Sequence, residues 1–333
     1  MEHKHVHVEI STATIVRIIL VLLFFSLLYM LQDGVTVVLF ALIIASGISP
    51  FANWLDARGF PRVLGVLGLY MVIFGLAAFL LSMVVPVIST DISQLTTNLP
   101  GIVERFTSSL DDVQQGAPQY LDFLSEFQNM LDIVSIYLQQ SAQSVFSLIV
   151  SIFGGIFSFI AIVVISFYLA VMKRGIESFI ESVAPSEQEV YLKDLWKRSE
   201  QKVGMWLQGQ LLLGLVVGLM VYVGLSLMGI KYALLWGILA MIFEIVPVVG
   251  PVLAAIPAVF FAFIESTSLG LWTLVFYTLV QQLENHILVP IVVGKTTGLN
   301  PVVVLIALLV GASLAGITGM LLSVPIATIL VEV

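Results

Sequence analysis

Residues 233–264 read ALLWGILAMIFEIVPVVGPVLAAIPAVFFAFI. As one continuous helix this stretch would be roughly 48 Å long at ~1.5 Å per residue. The hydrocarbon core of a bilayer is only about 30 Å thick. Its middle carries Glu244, Pro247, Gly250 and Pro251. The two prolines withhold backbone donors and clash with the preceding turn, so the helical ladder breaks there. Each half is then about 20 Å long, short for a crossing and suited to a helix–break–helix hairpin that re-enters. Pro301–Val331 repeats the pattern, with Gly311, Gly316 and Gly319 in its middle and Pro325 beyond. A kinked ordinary span is the alternative for each stretch.

The rest of the chain makes lipid the solvent. Hydrophobic residues are 59% of the total, charged residues 10%, and mean hydropathy is +1.10. A soluble domain carries roughly 25% charged residues, so this chain could not cover its surface in water. A span needs about 20 mostly apolar residues. Ile15–Leu31, Val35–Ser49, Val63–Val85, Phe146–Met172, Leu207–Met228 and Leu271–Val293 are the candidates. The polar turn Gln32-Asp33-Gly34 separates the first two, and Pro50 ends the second. The N-terminal apolar run lacks a short core with a small-residue cleavage site, so it reads as a span rather than a removed signal peptide. The expected fold is an all-α integral membrane protein with about six full spans plus two broken or re-entrant helical hairpins.

Between spans three and four, residues 86–145 have another character. Ile92, Leu95, Leu99, Ile102, Phe106, Leu110 and Val113 recur at three- and four-residue steps. After Gln115-Gly-Ala-Pro118 the pattern resumes at Leu121, Leu124, Phe127, Leu131, Val134 and Leu138. That is amphipathic-helix spacing, and it reads as a helical hairpin outside the bilayer core; a disordered loop fits the periodicity poorly. Four regions follow: spans one to three over 1–85, an extracytoplasmic amphipathic helical hairpin over 86–145, span four with a cytoplasmic helical segment over 146–206, and a C-terminal transport core with both broken hairpins over 207–333.

Lys and Arg in short loops set orientation. Arg58 and Arg62 follow span two, and Lys173, Arg174, Lys193, Lys197, Arg198 and Lys202 follow span four. Segment 86–145 has one base, Arg105, among seven carboxylates. The basic loops are therefore expected in the cytoplasm, together with the N-terminus, and the acidic hairpin outside. Span Leu271–Val293 would then run inward and leave Lys295 in the cytoplasm, so the two broken hairpins enter from opposite faces. This is the arrangement in which transporters build a midplane site. Irregular backbone at that depth persists only when it is buried in protein or lines a wet cavity.

Several function classes drop out. There is no cysteine, which removes disulfides and thiolate metal sites. A net charge of −8 offers nothing to nucleic acid. Gly294-Lys295-Thr296 lacks the glycine a phosphate loop needs five residues before Gly294, where Val289 stands. There is no His-Glu-x-x-His pair of a zinc protease. His3, His5 and His7 read as a floppy terminus, and Gly311-Ala-Ser313-Leu-Ala-Gly316 as small residues that let helices approach. No enzyme, cofactor or metal site is expected.

The remaining signal is ionisable groups in apolar sequence. Glu244 directly precedes the first break. Gln281-Gln282-Leu-Glu284-Asn285-His286, followed by Pro290, interrupts the last full span. On a helix Gln281, Glu284 and Asn285 share a face, with Gln282 and His286 beside it. A carboxylate at such depth costs several kcal/mol unless paired or protonated and marks a functional site by default. Interhelical hydrogen bonding that only holds the bundle together is the structural alternative. The expected site is Glu244, Glu284, Gln281, Gln282 and Asn285, with Pro247, Gly250, Pro251, Pro290, Gly316 and Gly319 shaping the breaks. The amides supply both donors and acceptors for a polar solute.

These motifs resemble the autoinducer-2 exporter family of bacterial membrane proteins. The resemblance rests on Glu244-Ile-Val-Pro-Val-Val-Gly-Pro251, Gln281-Gln-Leu-Glu284 with Pro290, and Gly294 followed by Leu299-Asn-Pro301. Gly316-Ile-Thr-Gly319 with Pro325 and Trp206-Leu-Gln-Gly-Gln210 add to it. It implies a multispan carrier of the bacterial inner (plasma) membrane with a soluble segment between spans three and four. Members are associated with export of the quorum-sensing signal autoinducer-2, others with sodium/proton exchange. The family also implies a homo-oligomer, with a pentamer as the candidate assembly. The partners expected are thus a small polar solute or a monovalent cation and proton, the lipid bilayer, and further copies of the chain. A sodium(lithium)/proton antiporter and a non-transporting membrane scaffold are the competing readings.

Overall fold

The computed structural model describes residues 31–79, 154–292 and 299–332, with isolated positions at 19, 23, 26, 30, 82 and 86. Apart from those positions, the span Ile15–Leu31, the end of span three, the 86–145 hairpin, the start of span four and Lys295 lie outside the described residues. Every regular element among the described residues is helical. In chain order they are α1 (Gln32–Asp56), α2 (Arg62–Phe79), α3 (Ile156–Val171), α4 (Gly175–Val183), α5 (Glu189–Leu227), α6 (Ala233–Phe243), α7 (Val249–Glu265) and α8 (Thr267–Leu283). A π-helical turn (Glu284–Leu288), a single turn α9 (Val289–Val292) and α10 (Pro301–Glu332) complete them. Four of these, α1, α2, α5 and α10, are long and apolar enough to cross a membrane, and the α3–α4 pair, bent by 84°, makes a fifth if counted as one. The chain is a multi-pass membrane protein.

The helices depart from the sequence expectations at identifiable points. Gln32–Gly34 are helical rather than a turn, and α1 runs on through Pro50 to Asp56. Proline at that position leaves the carbonyl of Ser46 without its helical donor. Neighbouring α5 covers this stretch. A Cβ on Gly204 would lie 2.3 Å from the Ser46 oxygen, so the two backbones touch, and Gln208 Nε2 donates to the Gly47 carbonyl at 2.7 Å. The outer packing thus carries the helix past its proline. Helix α3 begins at Ile156, after Gly154 and Gly155 at φ 80° and 110°. Helix α5 is 39 residues long, about 58 Å at ~1.5 Å per residue. Its basic first half and the span that follows form one rod, so the boundary drawn between 206 and 207 falls inside it.

Among the described residues, three clusters of buried apolar side chains hold the bundle. One joins the end of α1 to α2 and α3 through Ala52, Val66, Tyr70 and Ala170. There Tyr70 donates to the Ser166 hydroxyl at 2.7 Å. A second joins α1, α3, α5 and α10 around Ile43, Ile162, Trp206 and Leu322. The third joins the distal half of α5 to α6, α7 and α8. Small residues set its spacing: a Cβ on Gly218 would lie 2.8 Å from the Gly237 carbonyl, and one on Gly237 would lie 2.8 Å from that of Gly218. Large apolar side chains such as Met71, Phe157, Leu309 and Leu314 point outward, as lipid-facing surfaces require.

Both broken segments fold back on themselves. Trp236, in the first turns of α6, stacks on Phe261, near the end of α7, with ring centroids 5.4 Å apart. The two helices are therefore antiparallel. Ala254, Ala258 and Ala262, fully buried, recur every fourth residue and give α7 a flat face for close packing. In α10 the helical path fails at Ala315 and Gly316. A Cβ on Gly311 would lie 2.4 Å from the Gly319 carbonyl, and one on Gly319 would lie 2.0 Å from that of Gly311. In a straight helix residues eight apart are separated by roughly 12 Å, so α10 is a tight hairpin with its tip at Gly316.

Candidate functional site

The first hairpin's turn, Glu244–Val248, brings Glu244 into the bundle. Pro247 sits in it, and Val248 takes φ 68° and ψ −51°, a conformation that a β-branched residue adopts only when the surroundings impose it. Gly250 and Pro251 fall in the first turn of α7 rather than in the break itself. Gly250 is needed where it stands, because a Cβ there would lie 1.8 Å from the Phe243 carbonyl oxygen. Beneath the turn, a Cβ on Gly214 of α5 would lie 2.7 Å from the Met241 carbonyl and 3.4 Å from Glu244 Cβ. Glycine thus lets the turn rest on α5. Gln210, one helical turn before Gly214, donates its side-chain amide to the carbonyl oxygen of Glu244.

Glu284 arrives from the other side, as the first residue of the π-helical turn that follows α8. A π turn widens the backbone by one residue and re-aims the side chains it carries. It also makes room before Pro290, whose ring would clash with the carbonyl of an ordinary turn. The chain accordingly stays helical through Pro290, which marks no break.

The carboxyl groups of Glu244 and Glu284 come within hydrogen-bonding reach of each other. Their residues are 1% and 4% exposed. One oxygen of each, Oε2, has no partner among the described residues. Gln281 reaches Glu284, and its amide also lies 3.5 Å from Asn285 Oδ1. Of the expected site residues the fold therefore assembles Glu244, Glu284 and Gln281 in one place. Gln282, Asn285 and His286 face outward from the chain, with His286 Nδ1 3.0 Å from the Gln282 carbonyl. Gly316 forms the tip of the second hairpin, and Gly319 packs its two arms together rather than breaking them.

Ionised carboxylates only accept hydrogen bonds, whereas a protonated one donates. Two facing carboxyls can therefore bond to each other only through a proton, or through a cation held between them. Such a pair has two chemical states, one closed by a proton and one open to a cation. No His, Cys, Asp or Glu group of three or more that could hold a metal ion occurs among the described residues.

Two site features were not expected from sequence. Gln210 is buried and looks from its position like one more polar residue entering a span; only the fold brings it under Glu244. The π turn carries a sequence signal, Pro290 six residues after Glu284, but that signal equally fits a kink.

A family model described as AI-2E family transporter matches residues 18–333. Among curated proteins, YueF of Bacillus subtilis strain 168, described as a candidate transport protein, is 28% identical over 84% of this chain and 77% of its own length. YhhT of Escherichia coli strain K12, with the same description, is 26% identical over 89% of this chain and 83% of its own. The AI-2 transport protein TqsA of Escherichia coli strain K12 is 34% identical over 41% of this chain and 40% of its own.

Proposed function

Because this chain belongs to the AI-2E family of transporters, we propose that it is a secondary carrier that exports a small polar solute of the autoinducer-2 kind, coupled to or gated by protons or cations through Glu244 and Glu284. The observation that carries this reading is the buried pair of facing carboxyls, each with an oxygen left unpartnered, at the meeting of a helix break and a π turn. An idle carboxylate at that depth costs about 2.5–3.5 kcal/mol even on the mildest scale. Two of them side by side cost more unless a proton or cation joins them. The likeness to TqsA, an AI-2 transport protein, favours an organic cargo, for which Gln281 supplies a donor and an acceptor.

In this reading both folded-back hairpins re-enter the bilayer from opposite faces, and their tips line the path. The chain sits in the bacterial inner membrane with its basic loops and N-terminus in the cytoplasm. Gln282 at the end of α8 and Asn285 and His286 in the π turn, all on the outer face, are poorly suited to hydrocarbon, and a second copy of the chain in a homo-oligomer covers them. A sodium(lithium)/proton antiporter is the second reading, favoured by a pair that offers only oxygen ligands. Flux into proteoliposomes under an imposed pH gradient separates the two. Gradient-dependent uptake of autoinducer-2 supports the exporter, and uptake of sodium or lithium with none of autoinducer-2 supports the antiporter.

A further inference from the structure

We propose that the cavity at the basic end of the bundle, enclosed by α1, α3, α4 and α5, binds a phosphate-bearing anion, with the headgroup of an anionic phospholipid as the source the geometry favours. This requires only that the bundle spans a membrane and stands or falls apart from the Glu244–Glu284 reading.

The cavity has a volume of about 450 Å³, and Arg62, Lys173, Arg174 and Lys197 reach its wall against two carboxylates, Glu177 and Glu200. Both carboxylates are engaged: Glu200 accepts from the Ser49 hydroxyl at 2.9 Å, and Glu177 accepts from Arg174 at 3.2 Å. Arg62 is fixed by its bond to the Ala170 carbonyl at 2.9 Å, and Lys173 pairs with Asp56. Lys197 enters no ion pair among the described residues. Four cations thus line the wall against two carboxylates; Lys173 and Arg174 also pair outward with Asp56 and Glu181, which leaves Lys197 as the uncommitted cation. Leu42, Leu169 and Met172 line the same cavity, an apolar side that a free phosphate ion does not need and a lipid does.

Its depth fits a headgroup. At Met172–Arg174 the chain bends by 84° from α3 into α4, so α4 lies across the bundle axis. Ile176, Phe179, Ile180 and Val183 recur along α4 at three- and four-residue steps, with Phe179 and Val183 exposed at 65% and 67%. An amphipathic helix of this kind lies in the membrane surface. At the same end Arg58 stacks 3.5 Å from the ring centroid of Trp54, and Phe51, Trp54 and Phe60 are exposed. Aromatic side chains concentrate at headgroup level, and basic pockets between spans on that side take anionic headgroups.

The test uses the purified full chain in detergent, titrated separately with phosphatidylglycerol, phosphatidylcholine and inorganic phosphate. Thermal unfolding is the readout, with bound lipid counted by native mass spectrometry. Phosphatidylglycerol is expected to bind and raise Tm, and phosphatidylcholine to do neither. Lys197→Gln should weaken that binding about fivefold, the equivalent of ~1 kcal/mol per basic residue at an anionic surface, and Lys197→Arg should keep it. Lys231→Gln, in the turn beyond the other end of α5, should bind as the unaltered chain does. Saturable protection by inorganic phosphate that displaces phosphatidylglycerol supports the same site with soluble phosphate as the source. Equal responses to the two lipids with none to phosphate, or undiminished binding by a folded Lys197→Gln, would overturn the proposal. The lipid comparison on the unaltered chain decides even if the variants fail to fold.

Discussion

The carboxyl of Glu244 meets the carboxyl of Glu284 inside the bundle, and each residue stands where the ordinary α-helical ladder has been interrupted. Glu244 follows the last turn of α6, and Glu284 opens the π turn. Interrupted backbone leaves polar groups that must be satisfied locally, and Gln210 does this for the Glu244 carbonyl. The site thus depends on three features at once: a strained break, a widened turn, and a glycine-lined seam on α5 that lets the break approach.

The tight break predicts a large difference between two glycine substitutions. Gly250→Ala places a methyl 1.8 Å from a backbone carbonyl, and overpacking of that kind costs about 1–3 kcal/mol. Gly34→Ala, in the first turn of α1, meets nothing within 4 Å, and alanine loses less conformational freedom than glycine on folding. Thermal unfolding of the purified variants should fall for the first and hold or rise for the second.

The second hairpin makes a geometric prediction. Cysteines at Leu308 and Leu322, placed like Gly311 and Gly319 symmetrically about Ala315 at the break and sharing one buried cluster, should cross-link within one chain under mild oxidation. A straight helix would hold them roughly 21 Å apart, beyond the reach of a disulfide. Gly316→Ala, at φ 57° and ψ −135°, should lower stability by about 1–3 kcal/mol.

Much of this fold was legible in the sequence because breaks inside apolar sequence have few explanations. Pro247 and Gly316 each fall where the chain turns. What the sequence withheld was context. Pro50 stops a helix in isolation, yet α1 continues because α5 covers the carbonyls beside it. Pro290 is tolerated because the π turn precedes it. Helical periodicity placed Asn285 beside Glu284, but a π turn obeys a different period, and Asn285 faces outward while Gln281 keeps its contact. Gln210 was invisible as a site residue because its partner is a main-chain oxygen 34 positions away.

That bond gives its own test. Gln210→Leu keeps the volume of the side chain but leaves the Glu244 carbonyl without its donor, an unsatisfied buried group costing about 1–3 kcal/mol. The variant should melt earlier and transport more slowly. Gln210→Asn, too short to reach, should behave likewise, and unchanged melting in both would show the bond to be dispensable.

Topology can be read on the cysteine-free chain with single introduced thiols. Ser186, exposed in the turn between α4 and α5, lies at the basic end, and Ser108 lies in the acidic segment outside the described residues. With a membrane-impermeant maleimide, Ser108→Cys should label in intact spheroplasts and Ser186→Cys only after lysis. The reverse pattern would invert the protein in the membrane.

The central claim, that the two carboxyls carry the coupling, is tested most directly by flux. Glu244→Gln and Glu284→Gln keep size and hydrogen-bonding capacity but remove the exchange between a protonated and an ionised state. In proteoliposomes under an imposed pH gradient, each variant is compared with the unaltered chain after both have passed the same monodispersity and unfolding checks. The account predicts folded variants whose transport of autoinducer-2 or alkali cation is lost or no longer depends on pH. Folded variants that transport at the unaltered rate and with the unaltered pH profile would contradict it and leave Glu244 and Glu284 a structural pair.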